Sequence, residues 1–183
     1  MSTIENQTTI FPGVKDGDTF KIGDMDFIKF PSVDGQTPVV MKDIAFRSRF
    51  GDNNDLRSSD VLRKMEEEIL PKIIAVVGDE NICTIKTDLT TLDGLNPYGT
   101  MESRISLPTL DFYRANVGIF DKHRPNRWWW LATPESAQPH SDPELTLCVS
   151  PSGYFYYFFY YRSEFGVRPF CIFKSSIFES FEA

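Results

Sequence analysis

Gly153-Tyr154-Phe155-Tyr156-Tyr157-Phe158-Phe159-Tyr160-Tyr161-Arg162 sets eight aromatic residues in a row, and the seating of that row decides how the rest of the chain is read. In a strand, successive side chains point to opposite faces, so only alternate residues can enter one core. About half of the row is therefore expected to face outward. Tyr and Phe carry large contact area at low rotamer entropy, and Tyr adds a hydroxyl. That composition suits a binding surface better than a water-facing strand. The competing reading is a strand buried on both faces, or one covered by a second copy of the chain.

Outward from the row, Pro151-Ser152-Gly153 reads as a hairpin turn back to a strand over Glu144 to Ser150. Before it lie a polar loop from Pro134 to Pro143 and Trp128-Trp129-Trp130-Leu131-Ala132-Thr133-Pro134, where strand alternation sends Trp128 and Trp130 one way and Trp129 the other. Some indole there must be core. After the row, Gly166-Val167-Arg168-Pro169-Phe170-Cys171-Ile172-Phe173 reads as a last strand. Near the N-terminus, two alternating runs over Phe20 to Phe30 flank a Gly23-Asp24 turn, and Pro38 to Phe46 supplies a third strand. Ser58-Ser59-Asp60 can cap a helix from Val61 to Ile69, with Val61, Leu62, Met65, Ile69 and Leu70 at helical spacing. Thr109 can cap a second short helix, Leu110 to Arg114, and Ile82 to Thr87 reads as a strand. Residues 1–13 form a polar arm that docks at Ile10-Phe11-Pro12-Gly13, and the tail keeps Ile177, Phe178 and Phe181 for packing. The expectation is one α+β domain over residues 14–183, with small antiparallel sheets and two short helices.

Composition narrows the function. A net charge of -7 without a Lys/Arg cluster argues against nucleic acid as the main partner and disfavours anionic membranes. No apolar run reaches the length of a spanning helix, so no membrane insertion is expected. The N-terminus shows no secretory signal, which implies synthesis in a cytoplasm. Cys83, Cys148 and Cys171 read as small buried hydrophobes, with a Cys148–Cys171 disulfide as the lesser alternative. The two histidines, His123 and His140, stand in separate loops beside no marked nucleophile. There is no Gly-rich phosphate loop, no paired Cys spacing and no His-Glu-x-x-His. No catalytic residue, cofactor or metal is therefore nominated. Asp52-Asn53-Asn54-Asp55 has the residue types of a calcium loop, but such a stretch is more often a solvated turn.

Three motifs carry a family resemblance: Trp128-Trp129-Trp130-Leu131-Ala132-Thr133-Pro134, then Val149-Ser150-Pro151-Ser152-Gly153, then Gly166-Val167-Arg168-Pro169. Their order and spacing resemble a domain family of formally unknown function common in gut Firmicutes and their phages. Its members include variable proteins of diversity-generating retroelements, which have a C-type-lectin-like fold. Asp55-Leu56-Arg57-Ser58-Ser59-Asp60-Val61-Leu62 resembles that family's Ser-x-x-Arg-x-Trp-Leu-Asn helix without its Trp and Asn. The likeness spans about residues 18–175. Ala132-Thr133 stands where the family has Arg-Ser, so any role of that Arg does not carry over.

The resemblance implies a display protein on a phage tail or bacterial surface, with a variable segment over about residues 136–165 that recognises a host-surface protein or glycan. Tyr154, Tyr156, Tyr157, Phe158, Phe159, Tyr160, Arg162 and His140 are the candidate ligand contacts. Trp128, Trp129, Trp130, Gly153, Gly166, Arg168 and Pro169 are the candidate scaffold, with Arg168 a partly buried arginine seeking a carboxylate or carbonyls. Residues 154–163 contain only Tyr, Phe, Arg and Ser, all reachable from Asn codons by replacement of adenines. An alternative is a structural subunit that uses the aromatic strand as a homo-oligomer seam. A third is an enzyme on a related formylglycine-generating or hydrolase-like scaffold, which would need a deep pocket with convergent polar groups.

Overall fold

A computed structural model describes residues 9–180. Of the expected N-terminal arm, residues 1–8 lie outside the described residues, as does Phe181. Ile10 and Phe11 do dock, both donating backbone N–H groups to the Ile177 carbonyl at 3.0 and 2.8 Å.

The chain opens with β1 (Thr19–Ile22) and β2 (Met25–Lys29), the expected hairpin around Gly23-Asp24, followed by β3 (Gln36–Met41) and the short β4 (Phe46–Arg47). Ser59 caps the first helix, its hydroxyl accepting the Leu62 N–H at 3.1 Å. That helix does not stop at Ile69. It passes from α1 (Asp60–Lys64) through a π-helical stretch (Met65–Ile69) into α2 (Leu70–Val77). Pro71 would clash with the carbonyl four residues back in a regular helix. The wider turn, in which the Leu70 N–H reaches five residues back to the Met65 carbonyl, lets Pro71 sit in the first turn of α2, where no N–H is needed.

Next come β5 (Ile85–Asp88), β6 (Thr100–Ser103), α3 (Leu110–Ala115) and α4 (Val117–Phe120). The sequence reading assigns no element to β6, which pairs with β5 as a separate two-stranded ribbon. Thr109 caps α3 as expected, accepting the Phe112 N–H at 3.1 Å. The C-terminal part holds β7 (Trp129–Pro134), β8 (Leu145–Val149), β9 (Phe155–Phe159), β10 (Gly166–Val167) and β11 (Phe170–Lys174).

Two larger sheets result, one in the order β1-β2-β3-β11 and one in the order β4-β10-β7-β8-β9. Two strands expected to be continuous each divide between them. Pro38 to Phe46 breaks into β3 and β4, and Gly166 to Phe173 breaks into β10 and β11 at Arg168-Pro169. Proline cannot donate to a ladder, so Pro169 is a natural place for the change of sheet. Both crossings occur side by side: the Met41 N–H donates to the Pro169 carbonyl at 2.9 Å, and the Ala45 N–H to the Val167 carbonyl at 2.9 Å.

β7 is buried along its whole length because the core lies on both faces of its sheet. Trp130 and Cys148 join one apolar cluster with Met65, Ile73 and Phe165. Trp129, Leu131 and Leu147 join the other with Leu110, Tyr113 and Phe120. The tryptophans thus alternate as the strand period requires. Cys148 and Cys171 are buried in strands of different sheets, and all three cysteines are free thiols, not a disulfide. Burial pushes both buried thiols up to about 12. Among the described residues, no helix is long and apolar enough to cross a membrane.

Candidate binding surface

β9 pairs with β8 from Leu145↔Phe159 to Val149↔Phe155 and forms the outer strand of its sheet. The turn that delivers it is held at several points. Gly153 adopts φ +93°, a left-handed conformation that favours glycine, and its N–H donates to the Ser150 carbonyl at 3.0 Å. A Cβ there would press on the Arg124 and Asp121 side chains at 3.0 Å, and the Tyr113 hydroxyl donates to the Gly153 carbonyl.

The expectation that about half of the aromatic row faces outward understates the exposure. No residue of β9 is buried. The first cluster reaches only Phe158 and Tyr160 at its margin, and the second reaches no residue of the row. Strand alternation is kept, but both faces are open because β9 lies beyond the cover that α1–α2 and α3–α4 give the inner strands.

Two rows of rings follow. On the face shared with Cys148, Trp128 is the centre, with ring centroids 5.7 Å from Tyr154, 6.4 Å from Tyr156 and 5.1 Å from Phe158, all near edge-to-face. Phe165 stacks on it from the core side at 6.0 Å. The Arg162 guanidinium lies 5.1 Å from the Phe158 ring centre and 5.5 Å from that of Phe165, and its Nε donates to Glu164 Oε1 at 2.6 Å. This bond raises the Arg162 pKa and lowers that of Glu164. On the opposite face run Phe155, Tyr157, Phe159 and Tyr161, with the last two stacked at 5.1 Å. The Tyr156 and Tyr157 rings lie parallel at 4.8 Å although their residues are neighbours, so they meet around the open edge of the strand.

Phe155 and Tyr161, 41 % and 54 % exposed, belong to this surface but are missing from the sequence-based candidates, although the unbroken aromatic run itself pointed to them. Trp128, assigned above to the scaffold, stands at the centre of the surface. The rings present apolar area, tyrosine hydroxyls and one paired cation.

His140 is tied to Asp93. Its Nδ1 lies 2.7 Å from Asp93 Oδ2, and the same carboxylate accepts the Ser136 hydroxyl at 2.6 Å and the Thr91 hydroxyl at 2.5 Å. In a hydrolytic triad the serine gives its proton to the histidine. Here serine and histidine both turn to the aspartate, so the group fastens the loop over residues 136–144 and does not activate Ser136. Fully buried Asn54 fastens the same loop, its Nδ2 donating to the carbonyls of Ser136 at 2.8 Å and Leu145 at 2.9 Å, while its Oδ1 accepts the Tyr98 hydroxyl. Asn54 therefore serves the loop, and its neighbours Asp52 and Asp55 pair with Arg49 at 3.0 Å and Arg57 at 2.8 Å.

The Ser136, Thr91 and His140 hydrogen bonds hold the Asp93 carboxyl well below its ordinary 3.8. A carboxylate with a depressed native pKa contributes stability that is present above its unfolded value and is lost as pH falls toward the native one. The loop is thus expected to keep its protection at neutral pH and to loosen only as pH falls below 3.8. Protection factors for amide hydrogen exchange over residues 136–144, referred to the intrinsic rate at each pH, should fall below that pH in the wild type and be reduced already at pH 7 in Asp93→Asn.

Beneath the surface lies the corner between the sheets. Arg168 is 1 % exposed. Its Nε donates to the Met41 carbonyl at 3.0 Å, and its Nη2 to those of Lys42 at 2.9 Å and His123 at 3.3 Å. The guanidinium lies 4.6 Å from the Trp129 ring centre and 5.6 Å from that of Phe120. Of the two partner types expected for it, carbonyls are the ones it finds, and its burial is full instead of partial. Desolvation pushes its pKa down to about 10, which leaves it charged at neutral pH. Gly166 allows the close approach on the other side of the corner, because a Cβ there would collide with Ile44. A cleft of about 230 Å³ opens apart from the aromatic rows, lined by Asp88, Thr90, Leu92, Asp111 and Arg114 among others. Arg114 and Asp111 pair with each other across its rim at 2.8 Å.

No family model, curated protein or solved structure matches this chain.

Proposed function

We propose that this chain is a ligand-recognition module whose contact surface is the aromatic run from Tyr154 to Tyr161 together with Trp128 and Arg162. The observation that carries this reading is the contrast between motif and run. Trp129, Trp130, Gly166, Arg168 and Pro169 are buried, whereas none of the eight aromatics of the run is. A strand whose every side chain reaches solvent can change its residues without disturbing the core, as a diversified surface requires. Natural sequences rarely keep so much aromatic area exposed without a use for it. Tyr and Arg in such a patch are the residue types that dominate binding energy once water is excluded.

On this reading the chain is a variable protein of the retroelement type with a C-type-lectin-like frame, displayed on a phage tail or bacterial surface. Its ligand is a host-surface protein or glycan. Several copies on one particle would raise weak single-site binding through effective concentration.

Deep sequencing of the gene from a natural population tests the diversification. Substitutions concentrated at adenine-derived positions of codons 136–165 are expected, and a segment as invariant as the remainder would overturn it. A second test concerns the surface itself. Tyr156→Ser with Phe158→Ser is expected to leave the far-ultraviolet circular dichroism unchanged and to cost no more than about 1 kcal/mol of unfolding free energy. A cooperative loss of fold would show that the row is core.

A further inference from the structure

We propose that β9 pairs edge to edge with β9 of a second copy, antiparallel about a two-fold axis at Tyr157, so that the two sets of aromatic rows join into one surface. The proposal rests on the reading of the rows as a binding surface and adds a second copy that supplies half of its rings.

The backbone carries the argument. The Tyr154 carbonyl accepts the Ser150 N–H at 2.9 Å, and the Tyr160 N–H donates to the Glu144 carbonyl at 3.0 Å. Even-numbered residues therefore turn their backbone groups toward β8. By the alternation of an antiparallel ladder, Phe155, Tyr157 and Phe159 turn theirs to the open edge. Among the described residues, only the Phe159 carbonyl of these groups meets a partner, the Arg162 N–H at 3.1 Å. Exposed strand edges are normally guarded by charge, proline, a bulge or a covering element. Residues 154–161 contain no charge and no proline, and the β8–β9 register has no bulge. Among the described residues, the edge is covered only by the Tyr156–Tyr157 ring pair, which side-chain rotation returns to opposite faces.

The sequence of this edge fits itself. With Tyr157 on the axis, Tyr157 faces Tyr157, Phe155 faces Phe159 and Tyr156 faces Phe158, so every cross-strand pair is aromatic and none brings like charges together. Six aromatics of the run are between 38 % and 55 % exposed. At about 150–250 Å² for each such side chain, they offer on the order of 500 Å² per copy. Two copies so hold about 1,000 Å² of exposed ring, of which pairing at the edge covers the flanks and leaves the ring faces open to the ligand.

A charge exchange at the axis tests this on the intact chain. In sedimentation velocity over a concentration series, the wild type is expected to approach twice the 21.0 kDa chain mass. Tyr157→Lys and Tyr157→Glu, each checked by circular dichroism for a wild-type fold, should each remain monomeric, because each brings two like charges together at the axis. Their equimolar mixture should recover the dimer. A wild type that stays monomeric throughout would overturn the proposal. So would a dimer that persists in Tyr157→Lys alone, or a mixture that fails to associate. If either variant fails to fold, the same exchange at Phe155 and Phe159 is decisive: Phe155→Lys with Phe159→Lys in one chain and Phe155→Glu with Phe159→Glu in the other set like charges opposite each other in each homodimer and opposite charges in the mixture. Failure here leaves the ligand-surface reading standing, since that reading is tested by codon diversity and by the Tyr156→Ser, Phe158→Ser variant.

Discussion

Replacing Arg168 with methionine is expected to lower the free energy of unfolding by about 3–5 kcal/mol, the range seen when a buried charged group is removed and its partners are left behind. Arg168 sits where both main-chain crossings between the sheets meet, and its guanidinium satisfies carbonyls of Met41, Lys42 and His123 that are turned into this corner. Methionine matches much of the volume and none of the donors. The cost is thus mainly that of unpaired carbonyls, with a further contribution from lost contact with the Trp129 and Phe120 rings. Arg168→Lys keeps the charge but cannot spread planar donors over three carbonyls, so it should fall between the two. Urea unfolding monitored by tryptophan fluorescence checks the order. A loss below about 1 kcal/mol for the methionine variant would mean that water enters and serves the corner.

Trp130→Ala is expected to cost a similar amount, about 3–5 kcal/mol, the usual range for removing a buried large aromatic side chain. Trp130 is fully buried, packs 4.5 Å from Phe165 and 5.7 Å from Phe50, and donates its indole N–H to the Ser48 carbonyl at 2.9 Å. The effect should travel. Phe165 is the ring on which Trp128 stacks, and Trp128 supports Tyr154, Tyr156 and Phe158. Near-ultraviolet circular dichroism from the tyrosines should weaken even under conditions where Trp130→Ala remains folded. Set beside the small cost expected for Tyr156→Ser with Phe158→Ser, this marks the border between frame and surface. The buried aromatic cluster is expected to carry stability that the row resting on it does not.

Much of the architecture was legible because it is encoded locally. The hairpin at Gly23-Asp24, the caps at Ser59 and Thr109, the turn at Pro151-Ser152-Gly153 and the opposite placement of Trp129 and Trp130 all follow from residues within a few positions of each other. The aromatic run announced itself for the same reason. The misreadings arise where partners are distant in sequence. The helix expected over Val61 to Ile69 runs on to Val77, because a π-helical stretch absorbs Pro71. Thr100–Ser103 has little intrinsic strand character and becomes β6 only because β5 lies beside it. The tie between His140 and Asp93, 47 positions away, is likewise invisible to a local reading.

By itself, then, the sequence determined the alternation of strand and turn, the helix starts, and an aromatic run too long to be buried on one face, since strand period, cap chemistry and turn residues act over short range. The tertiary structure alone decided the rest. It set where β3 gives way to β4 and β10 to β11, that Arg168 closes the corner with carbonyls, and that β9 is an outer strand with both faces open. Those outcomes depend on which segments meet, and a strand's exposure is settled by the elements that cover its sheet and not by its own residues.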